Sequence, residues 1–156
     1  MDLGIRGRTA IVTGASSGLG KAVAEAFAAE GAQLVTAARR GELLEANAAE
    51  LRAKYAATVR VVPGDLRQRP QVQTLLEAAR ELGGPDILVI NTGRPPVPLR
   101  EILDEREEDR WKAAYETQLW SAALLVQEIV PALVERRWGR VIRSEEHTSE
   151  LQSHHD

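Results

Sequence analysis

The stretch Thr9–Gly20, TAIVTGASSGLG, decides the fold of this chain. Residues 10–12 form a short apolar run that is typical of a buried strand. Gly14, Gly18 and Gly20 follow this run, and glycine lets the backbone turn sharply and lets a ligand approach without a Cβ in between. The helix predicted to begin at Gly18 would direct its free N–H groups at an anion. We therefore predict a phosphate-binding turn whose simplest ligand is a nucleotide, and we call residues 14–20 the glycine-rich turn.

The spacing of these glycines excludes two common phosphate-binding motifs. A P-loop would require glycine at Ala15 and serine or threonine at Ala22. The commonest Rossmann spacing, G-x-G-x-x-G, would require glycine at Ser16. The stretch matches T-G-x-x-x-G-x-G, the cofactor motif of the short-chain dehydrogenase/reductase family. The chain resembles that family from about residue 7 to residue 142, and its broad relatives resemble 3-oxoacyl-acyl-carrier-protein reductases.

Length and composition limit the class of protein. A chain of 156 residues can bury a real core as a single domain. A net charge of −3 argues against nucleic acid as the main partner. The sequence has no run of 18 apolar residues and no apolar signal-peptide segment, so we expect no membrane partner. The absence of cysteine fits a reducing compartment, and we expect a cytoplasmic protein.

Apolar strands alternate with helices along the chain. This order predicts βαβ units and a doubly wound parallel sheet of the Rossmann type, of which the chain holds the first five strands. The charged segment 99–110 is predicted to be helical, and residues 111–137 are predicted to form one long helix that Pro131 should kink. The predicted strands are 10–12, 32–38, 59–62, 87–90 and a fifth that starts at 139–142, and the earlier helices are 18–30, 42–55 and 70–82.

Apolar periodicity predicts which faces of two helices pack on the sheet. Gly31 is the expected stop of the first helix, and Pro70 is well placed in the first turn of the third. On the first helix the predicted apolar face consists of Leu19, Val23, Ala26 and Phe27. On the long helix it consists of Ala114, Leu119, Ala122, Leu125, Val126 and Ile129.

The family resemblance assigns roles to the residues that follow the first strand. They would hold the diphosphate and the adjacent ribose of a nicotinamide dinucleotide. The serine hydroxyls in this set could also cap the helix, and the two roles are compatible. The residues are Thr13, Gly14, Ser16, Ser17, Gly18, Leu19 and Gly20.

The end of the second strand should select between NAD and NADP. An acidic residue there would bind the ribose 2′-hydroxyl and repel a 2′-phosphate, but Ala38 offers no carboxylate. Arg39 and Arg40 offer guanidinium groups, which pair with phosphate through several donors. We therefore predict NADP as the preferred cofactor over NAD; the alternative is that both arginines are solvated surface charge.

Two further strand ends carry candidate cofactor residues by resemblance. Asp65, which is followed by the hydrophobic Leu66, would contact the adenine, although an aspartate after glycine is also a common turn residue. Asn91, Thr92 and Gly93 match the family's N-N-A-G segment in part, and this segment would line the cofactor and steady the sheet. The replacements at 92 and 93 depart from the family pattern and weaken inferences about the substrate.

The family's catalytic site is incomplete in this sequence. Members of the family move hydride between a nicotinamide and a carbonyl or alcohol, with a tyrosine as general acid/base and a lysine four residues later. Tyr55 and Tyr115 are followed at that distance by Val59 and Leu119. Gln118 occupies the place of the family's relay asparagine. We expect the chain to bind a dinucleotide weakly and to turn over no substrate; the alternative is a non-catalytic dinucleotide-binding or regulatory module.

The composition changes abruptly after residue 142. We predict a dinucleotide-binding domain over 1–142 and a tail over 143–156 that is disordered or artefactual. Part of the tail, RSEEHTSELQSH, resembles a translated sequencing adapter, and a genuine polar tail is the alternative. No ligand spacing supports a metal site among its acids and histidines, so we predict none. The family's serine and Tyr-x-x-x-Lys would then lie in a longer parent, which by resemblance acts on a small carbonyl or alcohol as a homo-oligomer.

Overall fold

Five parallel strands form the sheet of the computed structural model, which describes residues 3–91, 98, 100–101 and 103–144. The strand order within the described chain is β3-β2-β1-β4-β5. The strands are β1 (Thr9–Thr13), β2 (Gln33–Ala38), β3 (Val59–Pro63), β4 (Ile87–Ile90) and β5 (Arg140–Arg143). The helices are α1 (Gly18–Ala29), α2 (Gly41–Tyr55), α3 (Arg69–Glu81), α4 (Glu108–Tyr115) and α5 (Ser121–Glu135), and a π-helical turn, Glu116–Trp120, joins the last two.

Both faces of the sheet are covered by helices, which confirms the predicted doubly wound Rossmann-type fold. Side chains along β1 alternate between the two layers. Ile11 is fully buried and belongs to the same cluster as Leu75 of α3 and Leu125 of α5. Val12 lies in the other cluster, with Leu44 of α2. Each of these large side chains contributes about 1.5–3 kcal/mol by leaving water, so the contacts between the strands and both helical layers stabilise the core.

The predicted helix boundaries at Gly31 and Pro70 are confirmed. Gly31 follows the C-terminal cap of α1 with a φ of +79°, the left-handed conformation that glycine adopts easily. Pro70 lies in the first two positions of α3, where its missing N–H removes no helical hydrogen bond.

The predicted apolar face of α1 is confirmed in part: Val23 and Phe27 are partly buried against the core, whereas the other two predicted residues are exposed. Leu19 is 52% exposed, and Ala26 is also exposed. The side that faces the sheet consists instead of Gly20, Ala24 and Ala28, at intervals of four residues. Small residues at this spacing let α1 lie close to the strands, so the largest side chains of the helix are displaced to its flanks.

The prediction that residues 99–110 are helical is also wrong, because α4 begins only at Glu108. The Glu105 carboxylate accepts hydrogen bonds from the Glu107 backbone N–H at 3.1 Å and from Arg110 Nε at 2.6 Å. A side chain that binds local backbone in this way competes with the helical hydrogen-bond ladder. Residues 99 and 102 lie outside the described residues.

The predicted long helix contains a π-helical turn that shifts its buried face. Ala122, Leu125 and Ile129 are buried as predicted, whereas Leu119 and Val126 are 52% and 41% exposed. A π-helical turn holds one residue more than an α-helical turn, so the helix faces on either side of it do not share one 3.6-residue register. A single periodicity therefore could not describe the faces on both sides of this turn.

Two hydroxyl groups bond to helix carbonyls at the π-helical turn. Thr117 Oγ1 donates to the Ala113 carbonyl at 2.8 Å, and Ser121 Oγ donates to the Thr117 carbonyl at 2.8 Å. Such bonds compete with the regular ladder and bend helices.

The helical segment Glu108–Glu135 is long and apolar enough to span a membrane by length and composition alone. The core helix of a globular domain meets the same criteria. Leu124, Leu125 and Ile129 are buried in the cluster that packs on the sheet, which fits a core helix.

Candidate cofactor-binding site

The carboxyl ends of the strands bring the predicted site residues to one edge of the sheet. The glycine-rich turn follows β1, Arg39 and Arg40 follow β2, Asp65 follows β3, and Asn91 follows β4. Parallel open sheets bind ligands at this edge. Thr92 and Gly93 lie outside the described residues.

Two glycines of the turn are required for different reasons. Gly14 has a φ of +66°, and a Cβ on it would lie 2.3 Å from the carbonyl oxygen of Asn91. The turn therefore packs directly against the end of β4. Gly18 has a φ of +56°, but a Cβ on it would have no atom within 4 Å. The backbone at Gly18 thus borders open space into which a ligand can approach.

The start of α1 is prepared for an anion. Ser17 is the N-cap residue, and its side chain makes no capping hydrogen bond. The first turn carries no acidic residue. The N–H groups of this turn have no helical partner, and the helix dipole adds a partial positive charge there. The side chain of Ser17 therefore does not fill the alternative capping role in this structure.

The serine hydroxyls pair with an arginine from the second strand end. Arg40 Nη2 donates to Ser17 Oγ at 2.6 Å and to Ser16 Oγ at 3.2 Å. Arg39 is exposed beside it, and Ala38 at the strand end contributes no carboxylate. The result is a cationic, hydroxyl-rich group next to the glycine-rich turn.

Asp65 is held by a neighbour that the sequence did not reveal. Arg67 Nη2 and Nε donate to the carboxylate at 2.7 and 3.0 Å, and the Arg67 backbone N–H donates at 3.0 Å. These hydrogen bonds hold the pKa of Asp65 below its usual value, and the charge of Arg39 acts in the same direction. Arg67 Nη1 also reaches Glu116 of the π-helical turn at 3.2 Å. Leu66 packs against the α3/α5 side of the core.

Thr13 joins the first and fourth strands. Its hydroxyl donates to the Val89 carbonyl at 3.1 Å and accepts the Asn91 backbone N–H at 2.9 Å. Thr13 is fully buried, so its side chain positions the strand ends and does not line an open surface. The Asn91 side chain accepts a hydrogen bond from Ser144 Oγ at 2.7 Å.

Gln118 lies in the π-helical turn and is half-buried. Its backbone carbonyl accepts a hydrogen bond from Arg143 Nη2 at 3.2 Å. Neither tyrosine is placed for acid/base work with a lysine at the strand ends. The Tyr55 hydroxyl donates to Glu25 at 3.0 Å at the far end of α2, and Tyr115 is 54% exposed on α4.

A second residue that sequence analysis missed is Asn47, whose amide donates to two carbonyl oxygens of the glycine-rich turn. Its signal is a polar residue on the buried face of α2, beside Leu44, Ala48 and Leu51. Arg67 gives no comparable signal, because an arginine in a surface loop is ordinary. A cleft of about 470 Å³ also lies between α1 and α2, and its lining includes Ala15, Thr36 and Asn47.

Comparisons with known proteins agree with this geometry. The family model described as short chain dehydrogenase matches residues 8–148. A short chain dehydrogenase of Pseudocercospora fijiensis is 35% identical over 140 residues, which cover 88% of this chain and 44% of the relative. A 3-oxoacyl-acyl-carrier-protein reductase of Aquifex aeolicus is 30% identical over 146 residues, which cover 91% of this chain and 56% of the relative.

A solved structure shares both fold and sequence with the chain. The L-sorbose reductase of Gluconobacter frateurii, complexed with NADPH and L-sorbose, superposes with a TM-score of 0.82 at 36% identity. The match covers 92% of this chain and 54% of that protein. The chain thus spans about half the length of the relatives that it matches. From the T-G-x-x-x-G-x-G turn, the parallel sheet and these matches, the chain belongs to the short-chain dehydrogenase family of oxidoreductases.

Proposed function

We propose that this chain binds NADP(H) at the carboxyl edge of its sheet. In the longer protein to which we assign it, the bound nicotinamide exchanges hydride with a carbonyl or a secondary alcohol. The observation that carries the proposal is the start of α1, where uncapped N–H groups border open space at Gly18 with no acidic residue in the first turn. A diphosphate is the natural ligand of such a turn.

The preference for NADP over NAD is supported by the charges around the second strand end. Arg40 and the two serine hydroxyls form a group that suits a 2′-phosphate, and Ala38 at the end of β2 offers no carboxylate that would repel it. The related L-sorbose reductase was solved with NADPH. Asp65, paired with Arg67, would lie at the adenine end.

The chemistry requires groups that this sequence does not place at the site. Gln118 would hold a water in place of the family's asparagine, with an amide one methylene longer. We propose that the acid/base tyrosine and its lysine belong to a continuation of the chain beyond residue 142, and that the 156-residue chain binds cofactor without turnover. The alternative is a non-catalytic dinucleotide-binding module. Sequencing of the genomic locus separates the two: a frame that runs on to Tyr-x-x-x-Lys supports the first, and a stop codon after Asp156 supports the second.

The remaining parts of the proposal concern partners and location. The parent would act on a small molecule as a homo-oligomer in the cytoplasm, with neither nucleic acid nor membrane as partner. Turnover of NADPH by protein made from the continued reading frame, screened against ketones and aldehydes, tests the substrate class.

Binding is tested by an NMR titration of the chain with NADPH and with NADH, followed at the amides of residues 14–20. The single variants Arg39→Asp and Arg40→Ala should each weaken NADPH binding by about ten- to a hundredfold and change NADH binding little. A hydrogen bond to a charged group contributes about 1.5–3 kcal/mol, which corresponds to this change in affinity. Arg80→Ala, which removes the same charge from exposed α3, is the matched control. Equal losses for the two cofactors would refute the NADP preference, and unperturbed amides at saturating ligand would refute dinucleotide binding.

A further inference from the structure

We infer that Asn47 is a positioning residue that orients the glycine-rich turn for the diphosphate, an inference that rests on the proposed cofactor function. Asn47 lies in the second turn of α2 and is 9% exposed. Its Nδ2 donates to the carbonyl oxygen of Ala15 at 3.1 Å and to that of Ser16 at 2.9 Å. Because both neighbours are carbonyl oxygens, which only accept, the amide nitrogen and not the amide oxygen must face them.

These two bonds determine the direction of two backbone N–H groups. In a planar trans peptide the C=O and the following N–H point in opposite directions. Asn47 holds the carbonyls of Ala15 and Ser16 towards α2, so the N–H groups of Ser16 and Ser17 point away from α2. Neither N–H donates to another backbone group in the part of the chain that the structure describes. Successive outward N–H groups of this kind form a concave site for an anion.

Other contacts fix the ends of the turn but not its middle. The Ala15 N–H donates to the Ala37 carbonyl at 3.2 Å, which joins the beginning of the turn to β2. Gly14 packs against Asn91, and Gly18 starts α1. Arg40 bonds to the serine hydroxyls, but a hydroxyl rotates about its own side chain and does not fix the peptide plane. Asn47 therefore supplies the constraint on the peptides between Ala15 and Ser17.

The test compares Asn47→Leu with Leu51→Ala. Asn47→Leu removes both donors and keeps most of the side-chain volume. Leu51 lies one helical turn further along α2, is 6% exposed and has no side-chain donor, so Leu51→Ala perturbs packing around α2 without removing a hydrogen bond to the turn. We expect Asn47→Leu to raise the Kd for NADPH at least about tenfold and Leu51→Ala to change it less than twofold. Asn47→Ser, which keeps one donor, should lie between wild type and Asn47→Leu and provides a milder variant for folding.

Two further measurements separate orientation from general destabilisation. Binding of 2′-AMP, which carries a 2′-phosphate but no diphosphate, should weaken less in Asn47→Leu than binding of NADPH does, because the guanidinium of Arg40 remains in place. In the ligand-free protein, the ¹⁵N order parameters of Ser16 and Ser17 should fall in Asn47→Leu and stay at the wild-type value in Leu51→Ala. The inference is overturned if folded Asn47→Leu binds NADPH as wild type does, or if Leu51→Ala weakens binding equally. If wild type binds no dinucleotide, the proposed function fails, and the order parameters still decide whether Asn47 orients the turn.

Discussion

Gly14→Ala and Gly18→Ala separate two reasons for glycine in the glycine-rich turn: a positive φ and a lack of space for a Cβ. The two residues have similar positive φ values, +66° and +56°. An alanine in this conformation costs about 1–2 kcal/mol, so both variants should lose at least that much unfolding free energy. At Gly18 the new methyl group would have no neighbour within 4 Å, and the loss should stop there.

At Gly14 the same methyl group has no room. It would lie 2.3 Å from the Asn91 carbonyl oxygen and 2.8 Å from the Asn91 side-chain nitrogen. The turn or the end of β4 must move, and overpacking of this kind adds about 1–3 kcal/mol. We therefore expect Gly14→Ala to lose about 2–5 kcal/mol of unfolding free energy in total.

For Gly18→Ala the loss of NADPH affinity should be large compared with the loss of unfolding free energy. The methyl group at Gly18 enters the space that a dinucleotide would approach, so Gly18→Ala should weaken NADPH binding more than its small loss of stability suggests. Urea denaturation gives the unfolding free energies, and NMR titration of the folded fraction gives the affinities. Equal losses of unfolding free energy in the two variants would show that the turn yields easily at Asn91, which would refute the close packing. Wild-type affinity in Gly18→Ala would place the ligand elsewhere.

Two other predictions concern ionic groups. Arg67→Met should return the pKa of Asp65 towards its ordinary value. Because the pKa of Asp65 is lowered in the folded state, the ion pair stabilises the fold above about pH 4, and this stabilisation is lost as the pH falls through the lowered pKa. The difference in unfolding free energy between wild type and Arg67→Met should therefore shrink in acid. Asp86, which is 2% exposed, accepts the Thr9 backbone N–H at 2.9 Å and pairs with Arg136 at 3.0 Å. Asp86→Ala should therefore lower the free energy of unfolding by about 2–4 kcal/mol, measured by urea denaturation. Asp86→Asn keeps an acceptor for the Thr9 N–H and should lower it less. Equal losses in the two variants would mean that the hydrogen bond to the Thr9 N–H contributes little.

The strands and their common edge were predictable because they depend on local signals. Short apolar runs bounded by glycine, proline and charged residues locate β1 to β4, and the alternation with helices determines the parallel order. The helix faces were less predictable. On α1, Leu19 gave the stronger apolar signal, but the small residues Ala24 and Ala28 face the sheet because the helix lies close to it. A prediction from apolar periodicity gives most weight to large side chains, whereas a helix that packs closely on a sheet needs small residues on the contacting face.

The π-helical turn shows a different limit. Thr117 and Ser121 do not predict a π-helical turn from the sequence, because hydroxyl residues occur in many regular helices. Whether their hydroxyls bond to the preceding carbonyls depends on the packing of the whole segment. Once one extra residue is present, the faces on either side no longer share a register, and Leu119 within the turn is exposed. Val126 lies beyond the turn, in the same helix as the buried Leu125 and Ile129, so its 41% exposure places it at the edge of that face.

Arg39 and Arg40 have different surroundings because α2 begins directly after Arg40. Arg40 is the N-cap residue of α2, and its side chain lies against Ser16 and Ser17. The charge of Arg39 acts instead on Asp65. The sequence assigns both arginines to one phosphate. In the structure Arg40 contacts the turn after β1, whereas Arg39 is exposed and adds only the smallest effect on Asp65, whose hydrogen-bond partner is Arg67. A single substitution should therefore leave one cation near the adenosine half of the ligand, and only the double variant Arg39→Ala/Arg40→Ala should abolish discrimination between NADPH and NADH. Full loss of discrimination in either single variant would show that one arginine alone reads the 2′-phosphate.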